Sequence, residues 1–242
     1  MKKKFLLFLL FLMTACCPCK DVQKNVFEQP VEVQLAYLHS ANDQENWKIP
    51  EETFAHLAQT APAWPEGRLA FRSFRIRFGE GNEGVEKTFE AHVQRIQNVM
   101  GEKFQRWDYR LFEKVPFQDE PVERLRLLNG NTSHHAVVEW IIIDLDANRQ
   151  RKSITAVRGP TSLADELFVF IWLFQDYVQN INYDENPGLF AGGYEFNIPE
   201  RDGGPWQNVP CVLRYLSDGA TILDAHWRSN DNSGYSVPLL RE

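Results

Sequence analysis

Residues 167–174 read Leu-Phe-Val-Phe-Ile-Trp-Leu-Phe, eight positions without a polar side chain inside a segment of helical length, 162–181. A helix that is apolar all round has no face to offer to water, so its middle turns must be covered on nearly every side. That requirement fixes the centre of the fold: the helix is sandwiched inside the domain or docked against a partner. Just before it lie an apolar run over 136–146 and a second extended segment over 153–157. Val137, Val138, Ile141, Ile142 and Ile143 are apolar on both parities, which predicts a strand in mid-sheet covered on both faces.

The remaining chain supplies layers to pack against this centre. Val85, Phe89, Val93, Ile96 and Met100 recur at three or four residues, and Glu86, Lys87, Glu90, Gln94, Arg95 and Gln97 fill the opposite side, so 85–100 reads as an amphipathic helix lying on a sheet. His92 stands at the edge of its apolar stripe. Pro50, Glu51 and Glu52 mark a short helix start, with Phe54, Leu57 and Ala58 on one face. Val31, Val33 and Leu35 alternate with Glu32 and Gln34, which predicts a half-buried strand. Over 68–78 the apolar parity changes between Phe71 and Phe74, which predicts a bulge near Arg72 and Ser73. A meander follows from Arg106, with a tight turn at Asn129, Gly130 and Asn131. The sum is an α+β fold: a mainly antiparallel sheet of about seven strands with two principal helices.

Four cysteines, Cys16, Cys17, Cys19 and Cys211, frame no disulfide scaffold. Three of them follow a basic start, Lys2 to Lys4, and an apolar run over 5–13 that is too short to span a bilayer and has the form of an export signal. Met13-Thr14-Ala15-Cys16 resembles the lipobox of bacterial lipoproteins. The resemblance implies removal of 1–15 and a lipid on Cys16. It also implies an address in the bacterial cell envelope. The polar, unpatterned stretch that follows reads as a tether over 16–30, and with no repeat or linker after it 31–242 reads as a single domain. The residue after Cys16 is Cys17 and not Asp, which points to the outer membrane where the cell has one. The formal charge of −7 becomes three units more negative once Lys2, Lys3 and Lys4 are removed. A chain that acidic is a poor match for nucleic acid, whose phosphates are neutralised by Lys and Arg.

Chemistry is sparse. Gly79, Gly81 and Gly84 precede a helix as a phosphate cradle does, yet acidic side chains lie among them and the Lys and Ser/Thr of a P-loop are missing. The neighbours His134 and His135 point to opposite faces of a strand and cannot share a metal. Asp144, Asp146 and Asn148 begin like a calcium loop, but Arg149 holds the place of the glycine. No metal or other cofactor is expected. With Asp218 and Gly219 as the centre of a two-residue hairpin, Cys211 lies opposite His226 and Leu213 opposite Asp224, gathering Cys211, Asp224 and His226 on one face. A thiol, an imidazole and a carboxylate are the parts of a cysteine nucleophile. Against this, a lone strand cysteine is ordinarily a small buried hydrophobe. Tyr194, Trp206 and Tyr235 each stand beside glycine-rich, flexible backbone, as aromatics of glycan- and peptide-binding surfaces do.

The expected function is therefore a membrane-anchored envelope lipoprotein with a non-catalytic role, binding a partner protein, a glycan or a small ligand. The alternative is a periplasmic hydrolase or thiol enzyme using Cys211, His226 and Asp224. An inhibitor or immunity-type protein acting through its acidic surface is a third class.

Overall fold

The computed structural model describes residues 25–79, 81–106, 125–127, 137–146, 163–196, 206–214, 217, 219–227, 229 and 234–241. Cys16, Cys17, Cys19, the turn at 129–131, His134, His135, Asn148, Arg149 and the extended segment at 153–157 lie outside them.

The fold is α+β, and its strands divide between two sheets. Helix α1 (Val31–Glu45) and helix α2 (Glu51–Thr60) precede strand β1 (Ala70–Arg77). Helix α3 (Gly81–Met100) leads to β2 (Phe104–Arg106), β3 (Leu125–Leu127) and β4 (Val137–Asp144). Helices α4 (Asp165–Leu173) and α5 (Gln175–Gln179) follow, then β5 (Gly188–Phe190), β6 (Tyr194–Phe196), β7 (Asn208–Arg214), β8 (Thr221–Trp227), β9 (Tyr235–Ser236) and β10 (Leu239–Arg241). One sheet has the order β1-β4-β10. The other runs β2-β8-β7-β5-β9, with β6 on β7 and β3 on β6. Most pairs are antiparallel, while β2 on β8 and β5 on β9 are parallel.

β4 takes the middle of its three-stranded sheet, as its apolar run predicts, but the cover expected on both faces is partial: Ile143 is buried while Val138, Ile141 and Ile142 are half-buried. β1 pairs with it antiparallel from Ala70 opposite Asp144 to Arg77 opposite Val137, without a skipped residue. The bulge expected near Arg72 and Ser73 is therefore absent. The parity change has another cause: β1 is covered on both faces, so every residue from Phe71 to Phe74 is buried. One face carries Arg72, Phe74 and Ile76 towards α1 and α2. The Arg72 guanidinium donates to Gln34 Oε1 at 2.8 Å, Pro62 O at 2.7 Å and Gln29 O at 3.0 Å, and Gln34 Nε2 donates back to Arg72 O at 2.7 Å. Trp140, stacked on Phe74 with ring centroids 4.2 Å apart, donates its indole N–H to Leu57 O at 2.8 Å. The other face carries Phe71, Arg75 and Arg77 towards α4 and α5.

This arrangement corrects the first element. The segment beginning at Val31 is helical, not extended, and its buried positions are Gln34, Leu38 and Ala41, spaced four and three apart. In α2 Phe54 and Leu57 are buried as expected, and Ala58 is exposed. The packed body also begins before Val31. Asn25 is 3% exposed and donates to Ala70 O at 2.7 Å, and the Phe27 ring packs on Phe71 and Tyr177.

The apolar helix is sandwiched within the protein. Every residue of α4 is buried, with β1 on one side and the second sheet on the other. Phe168 meets Phe89 of α3 at 4.7 Å and Tyr194 of β6 at 5.9 Å, and Gly193 N donates to Leu163 O at 2.7 Å. A Cβ on Gly193 would lie 2.7 Å from that carbonyl oxygen, so glycine is what lets β6 approach α4. The helical segment is not continuous: it breaks at Phe174, with φ −117° and ψ 55°. One hydrophobic cluster runs from Leu38 through α3 and α4 to Ala225 of β8. On the opposite face of the second sheet lies a smaller cluster of Phe190, Val209, Cys211, Leu213, Ile222 and Val237.

Candidate functional site

The thiol constellation sits on that outer face. β7 and β8 pair with Arg214 opposite Thr221, so six residues, not two, join them. The register moves by two positions from the expected one: Cys211 lies opposite Asp224, and His226 opposite Val209. A shift of two preserves parity, so Cys211, Asp224 and His226 still share a face.

Their surroundings close the site. Cys211 is 0% exposed, while Asp224 and His226 are half-buried. Tyr235 and Phe190 stack with centroids 4.8 Å apart, and the His226 ring stands 5.7 Å from Phe190 and 6.4 Å from Tyr235. Tyr235 lies directly on backbone, since a Cβ on Gly188 would fall 2.7 Å from its ring. Burial, followed by the neighbouring Tyr183 and Cys211, raises the Tyr235 phenol well above its ordinary value, so it stays protonated. An aromatic layer over a thiol with no exposed surface makes a packed satellite core. Native Cys211 is accordingly expected to react with iodoacetamide at least about a hundredfold more slowly than the same thiol in urea. Equal rates in thiol titration would restore the enzyme alternative.

The expected aromatic surface also divides. Tyr194 is 0% exposed between Phe89 and Phe168, so it offers no face to a ligand. Trp206, at φ 61°, donates its backbone N–H to Phe196 O at 3.0 Å and is half-buried. Tyr235 is engaged as described above.

Other residues singled out by the sequence have structural partners. Asp144 Oδ1 accepts from Asp146 N at 2.8 Å and Oδ2 from Arg241 at 2.6 Å, so a turn and a strand pairing use it. Gly79, at φ 75°, approaches Gly84 so closely that a Cβ on Gly84 would lie 2.6 Å from its carbonyl carbon. Residues 81–84 begin α3, and Thr88 Oγ1 accepts from Phe78 N at 2.8 Å. Among the described residues no group of three His, Cys, Asp or Glu side chains is placed to hold a metal ion.

His92 is fully buried, not at a stripe edge. Trp172 Nε1 lies 3.5 Å from its Nδ1 and its Nε2 lies 3.0 Å from Ile76 O, so the neutral tautomer with the proton on Nε2 satisfies both contacts. Burial pushes its pKa down to about 4.

His92 stands behind an open cavity that no motif announces. Its volume is about 410 Å³, and Trp47, Phe78, Ala91, Asn46, Lys48, Lys87 and Gln94 line it together with Glu45. Trp47 is braced by Phe78 at 5.3 Å, His92 at 5.7 Å and Trp172 at 6.0 Å. The short link between α1 and α2 carries it in an uncommon backbone: Asn46 has φ 52° and Lys48 has φ 61°. Asn42 holds both sides of this link, its O accepting from Trp47 N at 3.2 Å and its Oδ1 from Ile49 N at 2.7 Å. Asn adopts left-handed backbone readily, but lysine there costs about 1 kcal/mol or more, and such strain collects at binding sites.

The charges around the cavity are unequal in their engagement. Glu45 lies 3.6 Å from Arg95 and accepts from Asn98 at 2.9 Å and 3.0 Å. Lys48 and Lys87 are exposed, and neither has a hydrogen-bond or ion-pair partner among the described residues. The signal in the sequence was Trp47 itself, a large aromatic alone in the polar run 42–48.

No protein-family model matches the chain, and no curated protein or solved structure is detectably similar to it.

Proposed function

We propose that this protein is a bacterial envelope lipoprotein, anchored through Cys16, whose body binds a small ligand in the cavity beside Trp47. The observation that carries the reading is that cavity of about 410 Å³, open, aromatic-floored and rimmed by polar side chains. Ligand sites are typically concave spaces of about 300–1,000 Å³ with apolar walls and a few polar groups. The anchor rests on the Lys2 to Cys16 export signal. Asn25 is already packed into the body, so the eight residues between it and Cys16 would reach at most about 30 Å if fully extended. No helix among the described residues is long and apolar enough to cross a membrane, so the lipid is the attachment in this reading.

Two measurements test the two halves. Metabolic labelling with an alkyne fatty acid should mark the wild-type chain and leave Cys16→Ala unmarked; equal labelling of both would remove the anchor. An organic extract of the purified protein should yield a small molecule that is depleted at least about tenfold from Ala91→Leu, whose side chain fills the cavity. Equal extracts from the two proteins would remove the binding role from this cavity.

A further inference from the structure

Resting on that reading, we infer that the cavity takes a small amphiphilic anion: an apolar body on the Trp47 indole and Phe78, and one carboxylate or phosphate head between Lys48 and Lys87. The chain carries 33 Asp and Glu against 26 Lys and Arg. In a protein with that surplus a surface lysine readily meets a carboxylate, yet the two lysines at this rim meet none among the described residues. The one carboxylate in the lining, Glu45, is turned to Arg95 and Asn98 and is hydrogen-bonded there. The rim therefore holds two cations with no ion-pair partner among the described residues, above a floor of indole, phenyl and methyl surface from Trp47, Phe78 and Ala91. An anion gains from both lysines at once, and its apolar body leaves water against the aromatic floor.

The floor is also a rigid one. Trp47 is wedged against Phe78, His92 and Trp172, and the neutral His92 behind it adds no charge. Gln94 sends its amide N–H to Asn98 Oδ1 at 2.9 Å, leaving its carbonyl oxygen and the Asn46 side chain as neutral polar groups beside the head. Lysine ammonium acts as a compact point charge and does not demand the flat geometry that arginine favours, so carboxylate and phosphate heads both fit this chemistry.

The test uses the full-length protein in detergent and four probes: 4-phenylbutyrate, phenyl phosphate, the neutral 4-phenylbutanol and the cationic 4-phenylbutylamine. Binding is read from the indole N–H cross-peak of Trp47, assigned by its loss in Trp47→Phe. At least one anionic probe should titrate that peak with a Kd of about 1 mM, the neutral probe about tenfold more weakly, and the amine not at all. Whichever anion binds more tightly names the head group. Lys48→Gln and Lys87→Gln should each weaken the anion about threefold and together about tenfold, with the neutral probe unchanged. The neutral or cationic probe binding as well as the anions would overturn the ligand class while leaving a binding cavity in place. No shift of the Trp47 peak with any probe would overturn it as well, and depletion of the extract from Ala91→Leu would then still speak separately for the cavity.

Discussion

Phe71→Ala lowers the free energy of unfolding by about 4–5 kcal/mol and the midpoint of thermal unfolding by about 10–15 °C. Phe71 is 0% exposed at the meeting of the three-stranded sheet with α4 and α5. Its ring touches Phe170 at 4.9 Å, Phe174 at 5.0 Å, Tyr177 at 5.6 Å and Phe27 and Trp64 at 6.2 Å each. Truncation leaves a cavity walled by five aromatic rings that cannot close without moving a strand and a helix, so the cost falls at the upper end for phenylalanine. Domains are stable by only about 5–15 kcal/mol, so this single ring accounts for about a quarter or more of the whole. Val33→Ala, on the exposed side of α1 at 40% exposure, should change stability by less than about 0.5 kcal/mol. Urea denaturation of the two variants makes the comparison, and similar losses would mean that the core is not centred on Phe71.

The second large effect concerns charge. Asp165 and Glu166 open α4 at 1% exposure each. Arg77 donates to Asp165 Oδ2 at 2.7 Å and to Glu166 Oε1 at 3.2 Å, and Arg75 donates to Glu166 Oε1 at 2.6 Å and Glu139 Oε1 at 2.6 Å. Glu166 also accepts from Ala164 N at 2.8 Å. Against its own burial, the two arginines hold the Glu166 carboxyl below its ordinary value. Burial, and then the charge of Glu166 beside it, push Asp165 up to about 7 despite Arg77. Arg77→Met leaves two buried carboxylates with one arginine and should cost about 3–5 kcal/mol at pH 8, where both are ionised.

Asp165→Asn should behave oppositely. A carboxyl whose folded pKa is raised favours the folded state most below its unfolded value, near 3.8, and loses that contribution as pH rises through about 7. The amide does not titrate and its oxygen still accepts from Arg77. The stability of Asp165→Asn relative to wild type should therefore rise by about 2–4 kcal/mol between pH 4 and pH 8. Taking the difference matters because His92, with its pKa lowered to about 4, destabilises the fold as pH falls from its ordinary value of 6.5, which opposes the Asp165 trend in wild type. Chemical denaturation across that range checks the slope; a pH-independent difference would mean that Asp165 is ionised throughout.

The same buried polar groups explain which elements the sequence concealed. The stripe of α3 and the all-apolar α4 are built from side chains whose burial needs no partner, so periodicity reveals them, and the both-parity apolar run of β4 marks its mid-sheet place although Val138, Ile141 and Ile142 are only half-buried. In α1 one of the three buried positions is Gln34, buried because it exchanges hydrogen bonds with Arg72 across the core. Without that partner in view the helical period vanishes and the alternation of Val31, Val33 and Leu35 suggests a strand. In β1 Arg72 and Arg77 are buried and Arg75 half-buried by their partners, and a strand with charged residues reads as half-exposed. The break at Phe174 has no glycine or proline at that point to mark it.

The candidate sites follow the same pattern. Parity placed Cys211, Asp224 and His226 on one face, since it survives a two-residue slip in register. Their closure did not show, because it comes from Phe190 and Tyr235 on other strands. The Trp47 cavity depends on left-handed backbone at Asn46 and Lys48, and at Lys48 residue type gives no hint of it.

Native mass spectrometry of the protein extracted from its own membrane in mild detergent tests the central claim most directly, because it reads anchor and occupancy together. The account predicts a chain that begins at a lipidated Cys16 and carries one extra small mass, which is absent from Ala91→Leu. A chain that begins elsewhere, without lipid and with nothing bound, would contradict it.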